Sequence, residues 1–184
     1  MLWLIRHGET AWSLSGAHTG RTDIPLTAAG ELKAAKIREK LAGKTFGMVL
    51  VSPLERARRT CEIAGFAGQA QIDPDLLEWN YGDYEGKTTD QIRQERPGWF
   101  LFRDGVPNGE TIEQVAVRAR RVIDRAVASG GETALFAHGH ILRILGACWV
   151  DLPPVDAKML ALSTASVSVL GYEHETRVIS RWNG

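Results

Sequence analysis

Three short, predominantly apolar runs, residues 2–5, 48–51 and 133–136, set the architecture of this chain. Each stops abruptly at a polar stretch, and segments of helical pattern separate one run from the next. Apolar runs of this length bounded by polar or glycine-containing segments read as buried strands. Strands that alternate with helices argue for a parallel sheet covered on both sides. The expectation is an α/β fold of three layers, with a mostly parallel central sheet and helices on both faces. Ligands of such sheets bind beyond the C-terminal ends of the strands.

The intervening segments fit this plan. Residues 27–41 are rich in Ala, Glu, Lys and Leu, with Ala34, Ile37 and Leu41 at helical spacing, Thr27 near the N-cap and Gly43 as terminator. Ser52-Pro53 predicts the start of a second helix, because proline suits a first helical turn, and that helix carries Arg56, Arg58, Arg59 and Cys61. Thr111 with Gln114 resembles a capping box ahead of Val115, Ala119, Val122, Ile123 and Ala126. A helix is expected over 141–149, and a strand hairpin over 167–172 and 177–182 that turns at Glu173-His174-Glu175. Residues 73–109 contain Pro74, Gly82, Gly86, Pro97, Gly98, Gly105, Pro107 and Gly109, and read as loops around short helices; long irregular stretches of this kind often carry function. There is no repeat and no linker, so one domain over 1–184 is expected.

Twenty-two basic and twenty-two acidic residues cancel, so no global field draws the chain to nucleic acid or to an anionic membrane. Any positive site has to be local. Cys61 and Cys148 lack metal-ligand spacing and read as buried hydrophobes in a reducing, cytoplasmic protein. Arg6, His7 and Glu9 interrupt the N-terminal apolar run too early for a signal-peptide core, and no run approaches the roughly 18 residues of a membrane span. A soluble protein is expected.

Arg6 and His7 follow the first run, Arg56 lies on the helix after the second, and His138 follows the third. Arg6-His7 alone would be an ordinary strand end; together the four residues would form a dense anion site. Arginine's planar fork matches phosphate oxygens and stays charged. Histidine attacks phosphorus when one ring nitrogen is unprotonated and the other is fixed, a task a backbone carbonyl at the Gly8 turn can perform. The leaving oxygen needs an acid. Glu78 sits in Leu76-Leu77-Glu78-Trp79, whose apolar flanks are expected to desolvate it and raise its pKa; Glu9 and Asp83 are the alternative acids. A competing reading makes His138 and His140 metal ligands, with His7 or Asp104 completing the site.

In Leu4-Ile5-Arg6-His7-Gly8-Glu9-Thr10 the chain resembles the histidine phosphatase superfamily, which includes the cofactor-dependent phosphoglycerate mutases. The likeness extends over Thr19-Gly20, Pro25-Leu26-Thr27, Ser52-Pro53-Leu54-Glu55-Arg56-Ala57, Glu78 with Tyr81-Gly82, Gly109-Glu110-Thr111 and Ala137-His138-Gly139. It implies a phosphoglycerate mutase-like fold and a phosphohistidine at His7. It also implies that Arg6, Arg56 and His138 hold the phosphoryl oxygens, that Glu78 is the proton donor, and that no metal or organic cofactor is needed. Ser13, Thr19 and the Gly20 amide match positions that line the phosphate pocket, Gly139 gives His138 a close backbone neighbour, and His140 is a substrate-pocket or supporting residue. His18 either touches substrate or is solvated. Trp12, Trp79, Tyr81, Trp99 and Phe102 are candidates for the pocket wall.

The departures bear on substrate. Ser13 stands where the mutases usually carry Asn, and Trp79-Asn80 replace their Arg-His. The mutases' insert with paired arginines is missing. The resemblance therefore favours water as acceptor and a small phosphorylated metabolite as substrate, with the sugar-bisphosphate phosphatases as the most similar branch. A cofactor-dependent phosphoglycerate mutase is the alternative. Dimers are common among such folds, so a homodimer is the assembly to test, although no interface is legible.

Overall fold

The structure, a computed structural model, describes residues 1–184. Its centre is a six-stranded sheet built from β1 (Leu2–Arg6), β2 (Met48–Val51), β3 (Ala70–Ile72), β4 (Thr133–Ala137), β5 (Val167–Glu173) and β6 (Thr176–Arg181), in the order β3-β2-β4-β1-β5-β6. The first four strands in that order run parallel, while β5 and β6 are the antiparallel hairpin expected at the C-terminus. Strand β3 was not foreseen. Its three residues, Ala-Gln-Ile, are too few and too polar to show a pattern, and they lie at the sheet edge with two of the three exposed.

Alternation along the strands sorts side chains into two cores. Leu2 and Leu4 of β1 pack with Leu135 of β4 against α6 (Ile112–Ala128) and α7 (Gly139–Trp149). Trp3, Ile5, Val49, Val51 and Phe136 point the other way, onto Ala34 and Ile37 of α2 (Ala28–Lys40) and Ala57 and Cys61 of α3 (Glu55–Ile63). Each fully buried Leu or Ile contributes about 1.5–3 kcal/mol, and a one-residue slip of β1 would turn each set toward the wrong core. Thr27 caps α2, and the Thr111/Gln114 capping box opens α6, as the sequence indicates. Helix α3 begins two residues after Pro53, at Glu55, and α7 begins already at Gly139. Cys61 and Cys148 are buried free thiols, and no helix is long and apolar enough to cross a membrane.

The parallel register pairs Arg6 with Ala137 and Val51 with Phe136, so the three strand ends are level. His7 N–H donates to the Ala137 carbonyl (3.0 Å) and Ser52 N–H to that of Phe136 (3.0 Å). His7, Ser52 and His138 thereby leave the sheet side by side. Over these ends lie α1 (Ala11–Ser15), α4 (Thr89–Glu95), α5 (Leu101–Asp104) and the loops between them. Helix α1 buries no residue and is held by a Thr10/Ser13 capping box, so no apolar period announced it.

Candidate active site

His7 is held from both sides of its backbone. The Gly8 N–H donates to Thr60 Oγ1 (3.0 Å), which itself donates to the Arg56 carbonyl, so α3 fixes the turn after β1. A Cβ on Gly8 would lie 2.5 Å from the Gly30 carbonyl oxygen, and only glycine allows α2 to approach this closely. The turn delivers the Gly8 carbonyl to His7 Nδ1 at 2.6 Å. A carbonyl cannot donate, so Nδ1 carries the proton and Nε2 keeps its lone pair. Burial, then the charges of Arg6 and Arg56, push the pKa of His7 well below the usual 6.5, against the opposing pull of the Gly8 bond. The ring is held neutral, with Nε2 left unprotonated.

His138 packs against it with ring centroids 5.2 Å apart. Its Nδ1 accepts from Arg56 Nε (3.1 Å), which puts the proton on Nε2, donated to Ser52 Oγ (2.7 Å). Burial and Arg56 hold this imidazole neutral too. Arg56 is fully buried and also donates to the carbonyls of Thr19, Gly20 and Thr22. In this structure Arg56 and His138 thus form the layer next to His7 rather than the cavity surface.

Arg6 is different. Its Nη1 donates to the Leu162 carbonyl, but its buried Nε–H has no partner, and an orphaned guanidinium donor beside a neutral histidine is a ready seat for an anion. Both residues line a cavity of about 370 Å³ with Glu78, Ser13, Thr19, Gly139, His18 and His140. Glu78 is the one carboxylate that lines it. Glu78 is buried, and its oxygens are met by three backbone donors, Trp79 N–H (2.9 Å), His140 N–H (3.0 Å) and Ile141 N–H (3.0 Å), so it caps the start of α7. The alternative acids lie elsewhere: Glu9 pairs with Lys33, and exposed Asp83 accepts from Asn108.

Several expectations need correction. The Gly20 amide is not available to a phosphate, because it donates to Glu85 Oε1 (2.8 Å); Gly20 acts through its carbonyl, on Arg56. Ser13 and Thr19 line the cavity with hydroxyls already donated to the Thr10 and Ala17 carbonyls. Gly139 packs on the Arg6 guanidinium. Trp12 packs beneath Gly86 and Trp79 is fully buried, so the aromatic wall is Tyr81, Trp99, Phe100 and Phe102. His18 is part of that wall, not a solvated loop residue, and donates from Nδ1 to the Lys87 carbonyl (3.0 Å). His140 meets the Tyr81 hydroxyl at 2.5 Å. His138 and His140 therefore serve different partners, and no three ligand-type side chains converge as a metal site would require.

Sequence reasoning missed the second ring of the site. Arg118, on α6, donates to the carbonyls of Asp75, Leu77 and Glu78 and pairs with Glu110, which in turn accepts from Asn80 N–H. Glu85 gathers the amides of Gly20 and Thr22, which orients the carbonyls that grip Arg56. Arg93 and Arg143 line the cavity away from the strand ends. The only signal for these residues was that Glu85 and Glu110 fall within or beside the glycine-flanked segments of the resemblance.

A family model described as histidine phosphatase superfamily (branch 1) matches residues 2–184. An acid phosphatase of Mycobacterium tuberculosis is 38% identical over 188 residues, covering 97% of this chain and 90% of that protein. The sedoheptulose 1,7-bisphosphatase of Saccharomyces cerevisiae is 36% identical over 182 residues, covering 81% and 67%. Among solved structures, an open reading frame product of Mycobacterium tuberculosis superposes with a TM-score of 0.94 at 36% identity, over 99% of this chain and 96% of that one.

Proposed function

The chain belongs to the histidine phosphatase superfamily, as a phosphoric monoester hydrolase, and from that premise we propose that it hydrolyses a small phosphorylated metabolite through a phosphohistidine at His7. The observation that carries this reading is the neutral His7, its Nδ1–H tied to Gly8 and its Nε2 free beside the orphaned Arg6 donor. Nε2 attacks phosphorus as the P–O bond to the leaving group breaks, and Glu78 delivers a proton to the departing oxygen. Water then attacks the phosphohistidine, the P–N bond breaks, and the Glu78 carboxylate takes the water's proton. Arg6 neutralises the transferring group directly. Arg56 and His138 act on it from the adjacent layer, with His138 Nε2–H exchanging Ser52 Oγ for a phosphoryl oxygen. Charge stabilisation and placement supply most of the catalysis in such transfers, and none of these steps calls for a metal.

Sugar phosphates and bisphosphates are the first substrates to test, given the yeast relative's name. Buried free thiols at Cys61 and Cys148 suit a cytoplasmic enzyme. The test is a phosphate-release screen of sugar mono- and bisphosphates, phosphoglycerates and an aryl phosphate, in chelator, beside the His7→Ala variant. Release by the wild type alone, with acid-labile phosphate trapped on His7 by rapid quench, is expected. Turnover that instead requires added bisphosphate and interconverts phosphoglycerates would make the chain a mutase.

A further inference from the structure

The charges lining the cavity do not cancel. Arg6, Arg93 and Arg143 face it with Glu78 as the only acid, although the chain as a whole carries as many acidic as basic residues. One phosphoryl group at His7 engages Arg6 and leaves two guanidinium groups over. Neither is paired with a carboxylate. Arg143 is locked in place by its Nε to the Ala157 carbonyl (3.2 Å), its Nη2 to the Lys158 carbonyl (3.1 Å) and the face of Phe102, 4.7 Å from its guanidinium carbon. Its Nη1 is free. Arg93 donates from Nε to the Trp99 carbonyl (2.9 Å) and keeps both Nη groups free at the exposed rim. Guanidinium groups fixed through one edge and open at the other are preorganised for an oxyanion.

We infer that the cavity takes a substrate with two anionic groups, the phosphoryl that is transferred at His7 and a second phosphate or carboxylate held by Arg143 and Arg93. The inference rests on the phosphatase reading and deepens it. The cavity volume, about 370 Å³, is in the range of small-metabolite sites and exceeds what one phosphoryl group fills. The space between the two ends suits an uncharged, hydroxylated middle. His18, with Nδ1–H given to Lys87, offers Nε2 as an acceptor, and His140, whose Nδ1 shares a hydrogen bond with the Tyr81 hydroxyl, leaves Nε2 without a protein partner. Burial disfavours a charge on either ring.

The experiment compares wild type, Arg143→Gln, Arg143→Lys and Arg93→Gln on a sugar bisphosphate, the same sugar's monophosphate, a phosphoglycerate and an aryl phosphate. For Arg143→Gln, kcat/KM is expected to fall at least about 10-fold on the bis-anionic substrates, through KM, and less than about 3-fold on the monophosphate and the aryl phosphate. Arg93→Gln, exposed and screened, should cost about 2–3-fold on the same substrates and flatten their salt dependence. A larger effect on the bisphosphate identifies phosphate as the second group, and a larger effect on the phosphoglycerate identifies carboxylate. Equal losses on all four substrates, or no loss on any, would overturn the inference. If Arg143→Gln does not fold, Arg143→Lys and Arg93→Gln carry the comparison. Binding to the His7→Ala protein, measured by calorimetry, separates this claim from the one it rests on. A tighter bisphosphate than monophosphate, lost on adding Arg143→Gln, supports the subsite even if the wild type turns nothing over, and equal binding overturns it.

Discussion

The guanidinium of Arg118 donates to the backbone carbonyl of Glu78 at 3.1 Å, across forty residues of chain. The same side chain reaches the carbonyls of Asp75 and Leu77 and pairs with Glu110, so one arginine of α6 clamps the whole strap that carries the cavity's carboxylate. Removing it takes the donor from three carbonyls and leaves the half-buried Glu110 with only the Asn80 amide and the exposed Arg21, at a cost of about 3–5 kcal/mol. Arg118→Lys keeps the charge and loses the fork. Its kcat should drop about 10–100-fold on an alkyl phosphate and much less on an aryl phosphate. A uniform drop on both would mean that the clamp only stabilises the fold.

Glu78→Gln should show the same dependence on leaving group more strongly, about 10²–10⁴-fold on alkyl phosphates. An activated aryl phosphate departs with little help from an acid. Single-turnover rates with both substrates check this, and equal losses would remove Glu78 from the role of proton donor.

Gly8→Ala tests the turn that aims His7. The added Cβ meets the Gly30 carbonyl at 2.5 Å, so the turn has to shift. The cost should be about 1–3 kcal/mol in stability, with a larger proportional loss of turnover as the Gly8 carbonyl leaves His7 Nδ1. The ring ¹⁵N shifts of His7 would report loss of the fixed tautomer, and unchanged shifts with full activity would contradict the aiming role.

The buried histidines make stability pH-dependent. Burial, first, and then Arg6 and Arg56 for His7, Arg56 for His138 and Arg143 for His140 lower all three values well below 6.5. An unfolded chain takes these protons near 6.5. Below that pH, down to the folded-state values, the unfolded state binds more protons, so stability falls as pH falls, by up to about 1.4 kcal/mol per pH unit for each histidine. Thermal unfolding should occur at lower temperature at pH 5 than at pH 7, and His140→Gln should lessen the slope. A midpoint that rises on acidification would contradict the buried, neutral rings.

Activity should survive excess chelator, because the proposed steps use only His7, Glu78, His138 and the guanidinium groups around them. Loss of turnover on chelation, restored by a divalent cation, would require a different mechanism.

The strand runs of residues 2–5, 48–51 and 133–136, the capped helices and the grouping of Arg6, His7, Arg56 and His138 at adjacent strand ends were all legible in the linear sequence. The information is local: apolar period and caps are written in side-chain identity, and parallel β-α alternation leaves few ways to order the ends. What tertiary structure alone decided is which polar atoms meet. Arg56, Arg118, Arg93 and Arg143 are fixed by backbone carbonyls, Glu78 and Glu85 by backbone amides. Every residue type presents those same groups, so no pattern of side chains announces them. That is why the sequence does not show that the Gly20 amide is committed to Glu85 rather than open to phosphate, and why the clamp on Glu78 and the outer pair of arginines emerge only once the loops are folded over the sheet.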